Sequence, residues 1–589
     1  MSSIEYLHPS ALTRIVDKSY VPITAMGQTS LFAPHFSKLG QDNVIVEYNS
    51  DEEFLHYTGA LEMAKYGQAS YNIVNWLRNE GKVYGLRLLP DNATFANLVL
   101  SVKIEGGSNV HPVAESIQAS HSSEAALRTY IETPATLTEG EGGTIPLGVI
   151  YPIGRGEGYN GLGVRITLRD SQDNDNAFRT YNMSFTRKSS TGADEVFDGP
   201  YIVSFNKSAY SKASQESLYW EFVLNKYSSM RVIANSGAYA KLATYIFKRS
   251  ANHAEAGVSP ENVDILFGIE RNTFTATPKV HDGVVWEQSA VNGLGAVRYL
   301  ANGTDGTFEG TNSKASLLVK AFNGLIDPNV TDKWMYEIDM ILDANFETPV
   351  KNAINSFVTE LRGDCVSMVD TGFQATPAQA IAYRKESIGF NSYNTAIFAQ
   401  DFNVFDAHTG ESIRVTTPYF LASKIPANDY ANGIQWPFVG PRRGTISGYE
   451  SISYVPNAQW RENMYVAQVN YVERDNRQTN LGTQRTSQIQ NSALSDINNV
   501  RVLMRIRRDV ERIGLDYRFE FNDAETHESL SYALNQYLQK WVANRACTYV
   551  KATVYASDYD KQQRIVRVKI ELQFNGVIER VFTDITVNR

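Results

Sequence analysis

The chain of 589 residues has only two cysteines, Cys365 and Cys547, too few for a disulfide framework. Each lies in a stretch that reads as strand or strand entry, so both are expected to be buried small hydrophobes. The nine histidines are scattered without metal-ligand spacing, and no cysteine lies near one in sequence. Nothing here points to a metal or a cofactor. No run approaches the roughly 18 apolar residues of a membrane span, and residues 1–14 contain no apolar run of signal-peptide length. The expectation is a soluble protein, made and used without secretion or membrane insertion. A basic excess is also lacking: 55 Lys and Arg stand against 64 Asp and Glu, a net charge of −9. That argues against a general nucleic-acid binder. Any basic surface must be local.

What the chain does have is length and apolar content, with 43% hydrophobic and 11% aromatic residues, enough for three or four domains with sizeable cores. The last hundred residues carry the sharpest pattern. Over 496–513, Leu503, Ile506, Val510 and Ile513 recur at helical spacing, while Arg501, Arg505, Arg508 and Arg512 recur on the opposite side within about 60°. One face should pack and the other present guanidinium groups. Exchange of the four arginines for glutamine should then leave the fold nearly intact. The bland alternative is an ordinary solvated helix face. A second helix is expected to open at Asn522, with Glu525 in capping-box spacing, and to bury Leu530, Leu534, Leu538 and Trp541. Strand alternation follows at Val566, Val568, Ile570, Leu572 and Phe574 and partly resumes at Val577, Val581, Ile585 and Val587 after Asn575-Gly576. This last segment either pairs at home through a type I′ hairpin or joins the sheet of another subunit.

Upstream, residues 1–30 read as an extended arm. A compact α/β pattern starts at Asn43, with a strand at 44–48, a helix opened by Ser50-Asp51, a helix over 68–78 and a strand at 83–89. Residues 98–205 alternate in short runs between Gly and Asn turns, as in a β-sandwich, and 206–334 mix helical pieces with turn-rich tracts, as in an outward-facing insertion. The α/β pattern returns at 335–342, with helices opened near Pro349 and by Thr376-Pro377 and a strand at 365–370. The tract 475–490 reads as a polar linker. Gly156, Gly158 and Gly161 satisfy G-x-G-x-x-G, but a strand rather than a helix follows, so a structural loop is expected. Arg362-Gly363-Asp364 leads straight into an apolar strand and reads as chance.

Three stretches carry a family resemblance: Ser495-Asp496-Ile497-Asn498-Asn499-Val500-Arg501, Tyr517-Arg518-Phe519-Glu520-Phe521-Asn522-Asp523, and the closing strands. Together they resemble the C-terminal domain of contractile phage tail sheath proteins. The run from Tyr66-Gly67-Gln68 to Trp76-Leu77 and the stretch Val83 to Thr94 are similar to the same family, as are 156–163 and 440–444. The resemblance implies an α/β and α+β multidomain chain with a discontinuous α/β (subtilisin-like) core, an inserted β-sandwich and an outer insertion. An α+β C-terminal sheath domain with extended N- and C-terminal arms completes it. The expected divisions are 1–30 N-terminal arm, 31–97 first part of the core, 98–205 β-sandwich-like insertion and 206–334 outer insertion. They continue with 335–490 subtilisin-like α/β domain and linker, 491–576 C-terminal domain and 577–589 arm strand. A protease triad is not expected, because the one histidine of the subtilisin-like stretch, His408, sits in a polar turn.

The resemblance further implies a structural, non-enzymatic subunit of a virion tail, assembled in the host cytoplasm as stacked hexameric rings around a tail tube protein. Baseplate and tail terminator proteins are further partners, and contraction drives genome ejection through the host envelope. Arg501, Arg505, Arg508 and Arg512 are then candidates for contact with the tube or a neighbouring subunit. Val566, Val568, Ile570, Val577, Val581, Ile585 and Val587 are candidates for strand pairing between subunits.

Overall fold

A computed structural model describes residues 28–104, 110–115, 121–132, 143–168, 180–238 apart from isolated positions, 280–281, 284–285, 297–475 and 478–579. The candidate residues Val581, Ile585 and Val587 and most of the N-terminal arm lie outside the described residues.

The first half of the core contributes β1 (Ser30–His35), β2 (Ile45–Tyr48), α1 (Asp51–Thr58), α2 (Ala69–Leu77) and β3 (Lys82–Arg87). The second contributes β4 (Met340–Leu342), α3 (Thr348–Ser356), β5 (Val366–Asp370), β6 (Thr395–Phe398), α4 (Pro418–Asn432) and β7 (Val469–Asn470). All seven strands form one sheet in the order β2-β3-β1-β4-β5-β6-β7, parallel except for β2. Both faces are covered. Leu31, Leu342 and Met368 pack with Trp76 of α2 and Leu421 of α4 on one side; Phe32, Ile341 and Val369 pack with Leu318, Phe322 and Ile354 on the other. A parallel sheet needs such crossover helices, and burial on both faces gives strands without alternation.

Three expectations change here. β1, at the start of the tract read as core, is a strand that the pattern did not show, and it joins the two halves by pairing with β3 and β4. The helix Lys314–Phe322 of the supposed outer insertion packs on the sheet. The tract 475–490 is no free linker: Thr479, Asn480, Gln484, Thr486 and Ser487 are buried. Backbone carbonyls of the tract are tied to the core, as where Asn470 donates to Arg485 O at 2.7 Å and Arg384 to Ser487 O at 3.2 Å.

Between the halves stand two antiparallel four-stranded sheets. One pairs Leu98–Ile104 with Val110–Glu115 and with Gly143–Pro152, which pairs with Met230–Ala234. The other pairs Tyr181–Lys188 with Gly163–Leu168 and Asp194–Val203, and Val297–Tyr299 closes its edge. Their facing residues share one core, including Leu100, Ile150, Tyr181 and Phe185. It extends past residue 205 to Trp220 and Val232. Arg87 ties this unit to the α/β sheet by donating to Gly40 O and Arg155 O, each at 2.8 Å. The Gly156 loop lies at that junction: its φ is +126°, and a Cβ there would stand 2.9 Å from the Arg87 guanidinium. Glycine is required by that conformation and closeness, not by a nucleotide.

Candidate assembly surface

The C-terminal unit consists of α5 (Ile497–Asp516), α6 (Ala524–Ala543), β8 (Cys547–Tyr555) and β9 (Arg567–Phe574). Asp523, not Asn522, caps α6, accepting from Thr526 N at 2.9 Å. Asn522 instead donates to Ile565 O at 3.1 Å. Leu530, Leu534, Leu538 and Trp541 are buried against Val502, Ile506 and the inward side of β8.

The arginine stripe faces the α/β core, which corrects the expectation that α5 presents it. Arg501 is buried and bidentate to Asp429 of α4, one of the two contacts being 3.0 Å. Arg508 is buried too; it donates to Asp339 Oδ1 at 2.6 Å, to Ile338 O at 2.6 Å and to Asp364 O at 3.1 Å. Arg505 reaches Asp509 at 3.3 Å within its own helix, and Arg512 pairs with Glu337 at the half-exposed rim. Asp339 stays ionised well below the usual carboxylate range: burial opposes this, but Arg508 and Arg505 outweigh it. The buried guanidinium groups of Arg501 and Arg508 are taken up by partners within the core. The physical reason lies on the same side of the helix: Ile497, Val500 and Met504 flank the arginines and insert into the core beside them. Their spacing of three and four was readable, but the arginines masked it. Arg362 and Asp364 likewise pair with each other, at 2.9 and 3.0 Å, inside the protein.

Behind the ends of β4 and β5 sits a cluster that sequence reasoning missed. Lys351, buried, donates to Asp370 Oδ1 at 2.7 Å and also to Asp343. Burial and the neighbouring Asp370 push the Asp343 carboxyl up from its ordinary range. Asp343 accepts from Ala344 N, Phe346 N and Asp370 N, and Asp370 from Thr416 Oγ1. With these oxygens satisfied inside the fold, the cluster is a fastening of strand ends rather than a reactive centre. His408 lies in its expected turn, its N–H donating to Asp406 at 2.9 Å. Burial pushes the Cys365 thiol up to about 12 and the Cys547 thiol up to about 11, which keeps both protonated and inert.

β8 and β9 form a two-stranded antiparallel ribbon and pair with no other strand among the described residues. Its inner face lies on α6, but Ile570, Leu572 and Phe574 are only half covered, and Val568 is exposed. Val566, half-buried, joins the same cluster from just outside the strand. The outer face is polar, with Lys551 opposite Glu571 and Thr553 opposite Lys569.

The two edges differ. On β8, Asn535 of α6 accepts from Ala552 N and donates to Ala552 O, each at 2.8 Å, so its amide stands where a further strand would begin. Because Ala552 turns these groups away from β9, its pair with Ile570 is a non-hydrogen-bonded one. By the alternation of an antiparallel ladder, Val568, Ile570 and Leu572 therefore aim their own N–H and C=O groups outward from β9. That edge has no strand beside it among the described residues. Past Phe574 the chain does not double back as a hairpin: Val577 is half-buried, Ile578 is 86% exposed, and Glu579 accepts from Tyr465 Oη at 2.8 Å. A two-stranded ribbon with one edge blocked and one open can accept one added strand.

No family model matches this chain, and no curated protein matches it. Among solved structures, it is similar to the sheath tail protein from Desulfitobacterium hafniense, with 10% identity over 96% of this chain and 100% of that one and a TM-score of 0.48. It is similar to a sheath tail protein from Listeria innocua, with 11% identity over 90% and 89% and a TM-score of 0.45. The helical sheath of the anti-feeding prophage in its contracted state is also similar, at 15% identity over 50% and 78% and a TM-score of 0.38.

Proposed function

We propose that this chain is the structural subunit of a contractile tail sheath, polymerising around an inner tail tube and contracting to drive that tube through a host envelope during genome ejection. Stacked hexameric rings, contacts to baseplate and terminator proteins, and a place in the virion tail belong to the same reading. It needs no catalytic group. The observation that carries it is the outward row of backbone groups at Val568, Ile570 and Leu572 on an otherwise complete domain. Main-chain hydrogen bonds to a strand from a neighbour would survive rotation of whole subunits, whereas side-chain contacts break and reform. The terminal segment 577–589 and the N-terminal arm are the strands proposed to be exchanged. Electron microscopy of the purified chain tests this: rings or tubes are expected, and removal of 577–589 should leave a folded monomer that forms neither. Tubes from the truncated chain would remove the donated strand from the account.

A further inference from the structure

A groove of about 880 Å³ runs past the start of α5 and the end of α6, lined among others by Trp436, Val439, Arg442, Arg443, Asn498 and Arg545. Trp436 lies between two guanidinium groups, Arg443 at 4.9 Å and Arg545 at 5.5 Å from the ring centroid. Arg443 donates Nε to Pro437 O at 2.7 Å, and Arg442 stands exposed beside it. None of these three arginines has a carboxylate partner among the described residues, whereas Arg461 in the same groove is paired with Glu473 at 3.0 Å. Burial and the repulsion of Arg442 lower the pKa of Arg443. Glu462, Glu473 and Glu579 also line the groove, but none pairs with these three arginines, and three unpaired cations around a partly open indole suit a ligand that is both anionic and aromatic.

At the far end of the α5–α6 hairpin, the connecting turn has that composition. Phe519 is 103% exposed and Phe521 82%. Phe519 holds φ at +72°, a left-handed conformation that a bulky side chain rarely adopts and that aims it away from its own domain. Asp516, Glu520, Asp523, Glu525 and Glu528 flank it in sequence, all exposed and none in an ion pair among the described residues, and Arg518 is the one Lys or Arg within 516–528. Asn522 anchors the turn to Ile565 and, at 2.6 Å, to His527.

We propose that the Phe519–Phe521 turn of one copy docks in the Trp436 groove of a second copy of this chain, its carboxylates meeting Arg442, Arg443 and Arg545. The turn cannot fill its own groove, because α5, 20 residues long, separates the two by about 30 Å. Pairing opposite ends of one hairpin is head-to-tail and does not saturate, so it generates rings or filaments. The proposal rests on the sheath reading's premise that the chain assembles with itself.

The test uses the full chain in three forms: the groove variant Arg442→Glu/Arg545→Glu, the turn variant Glu520→Arg/Glu525→Arg, and the four changes combined. Circular dichroism and sedimentation first establish folded monomers, and microscopy then gives the protein concentration at which assemblies appear. Each double variant should raise that concentration about tenfold or more, and the combined variant should return it to within about threefold of wild type. Normal assembly by either double variant, or no recovery in the combined one from folded monomers, overturns the docking but leaves the sheath reading standing. Defects seen only when tube protein is added would assign the groove to the tube and overturn docking between copies. Wild-type chain that stays monomeric at every concentration overturns both.

Discussion

The seven-stranded sheet and the two-stranded ribbon are built by the same chain under opposite rules. The sheet is buried on both faces, and its buried charged groups have partners, as where Lys351 meets both Asp343 and Asp370. The ribbon is half covered on one face, solvated on the other and, among the described residues, open along β9. An open edge on so small a ribbon is where a neighbour's strand is proposed to add. The arginines repeat the contrast. Arg501 and Arg508 are spent within the fold, whereas Arg442, Arg443 and Arg545 have no carboxylate paired with them among the described residues.

Each side of this comparison can be broken separately. The largest effect on stability is expected at Arg508. Arg508→Gln leaves Asp339 without its buried guanidinium partner and should cost about 3–5 kcal/mol of unfolding free energy in a denaturant titration. A loss below about 1 kcal/mol would mean that the stripe does not hold the C-terminal unit to the core. A proline pair then reads the ribbon by parity. Glu571→Pro removes an N–H that the ladder directs to β8 and should cost about 2–3 kcal/mol in the monomer. Ile570→Pro removes one that points outward, so it should cost the monomer less than about 1 kcal/mol yet abolish assembly. Equal monomer losses would contradict the assigned register of hydrogen bonds. The smallest effect concerns Asp496, which stands just before α5 with no capping bond from its side chain and whose carboxyl is pushed up to about 6 by burial and by Glu579. A carboxyl raised in the folded state holds its proton more tightly than in the unfolded chain. Its contribution to stability therefore grows as the pH falls from above 6 towards 4 and is lost as it rises through 6. Asp496→Asn should remove this share of the slope, on the order of 1 kcal/mol because the group is partly solvated. An unchanged slope between pH 4 and 7 would place the titration elsewhere.

The sequence made some of this legible and hid the rest for physical reasons. Helix starts with a pyrrolidine or a capping side chain were readable: Ser50 accepts from Glu53 N, and Thr376 caps the helix that starts at Pro377. The spacing of Leu530, Leu534, Leu538 and Trp541 gave the buried side of α6, because one face packs and the other meets water. β1 was invisible. A strand buried on both faces has no alternation, and His35 at its end is polar in type, although burial pushes its ring down to about 4 and keeps it neutral. The direction of the arginine stripe was misread because charge on a helix face usually means solvent. Here the partners Asp339, Asp364 and Asp429 lie 72 to 169 residues away in sequence. The Trp436 groove was beyond reach for the same reason, since Arg443 and Arg545 come together only through the fold.

The central claim is that β9 is completed by another copy. A cryo-electron microscopy reconstruction of the assembled particle tests it most directly. The account predicts a third strand from a neighbouring subunit hydrogen-bonded to Val568, Ile570 and Leu572. An assembly in which that edge faces solvent, or a preparation containing only dispersed monomers, would contradict it.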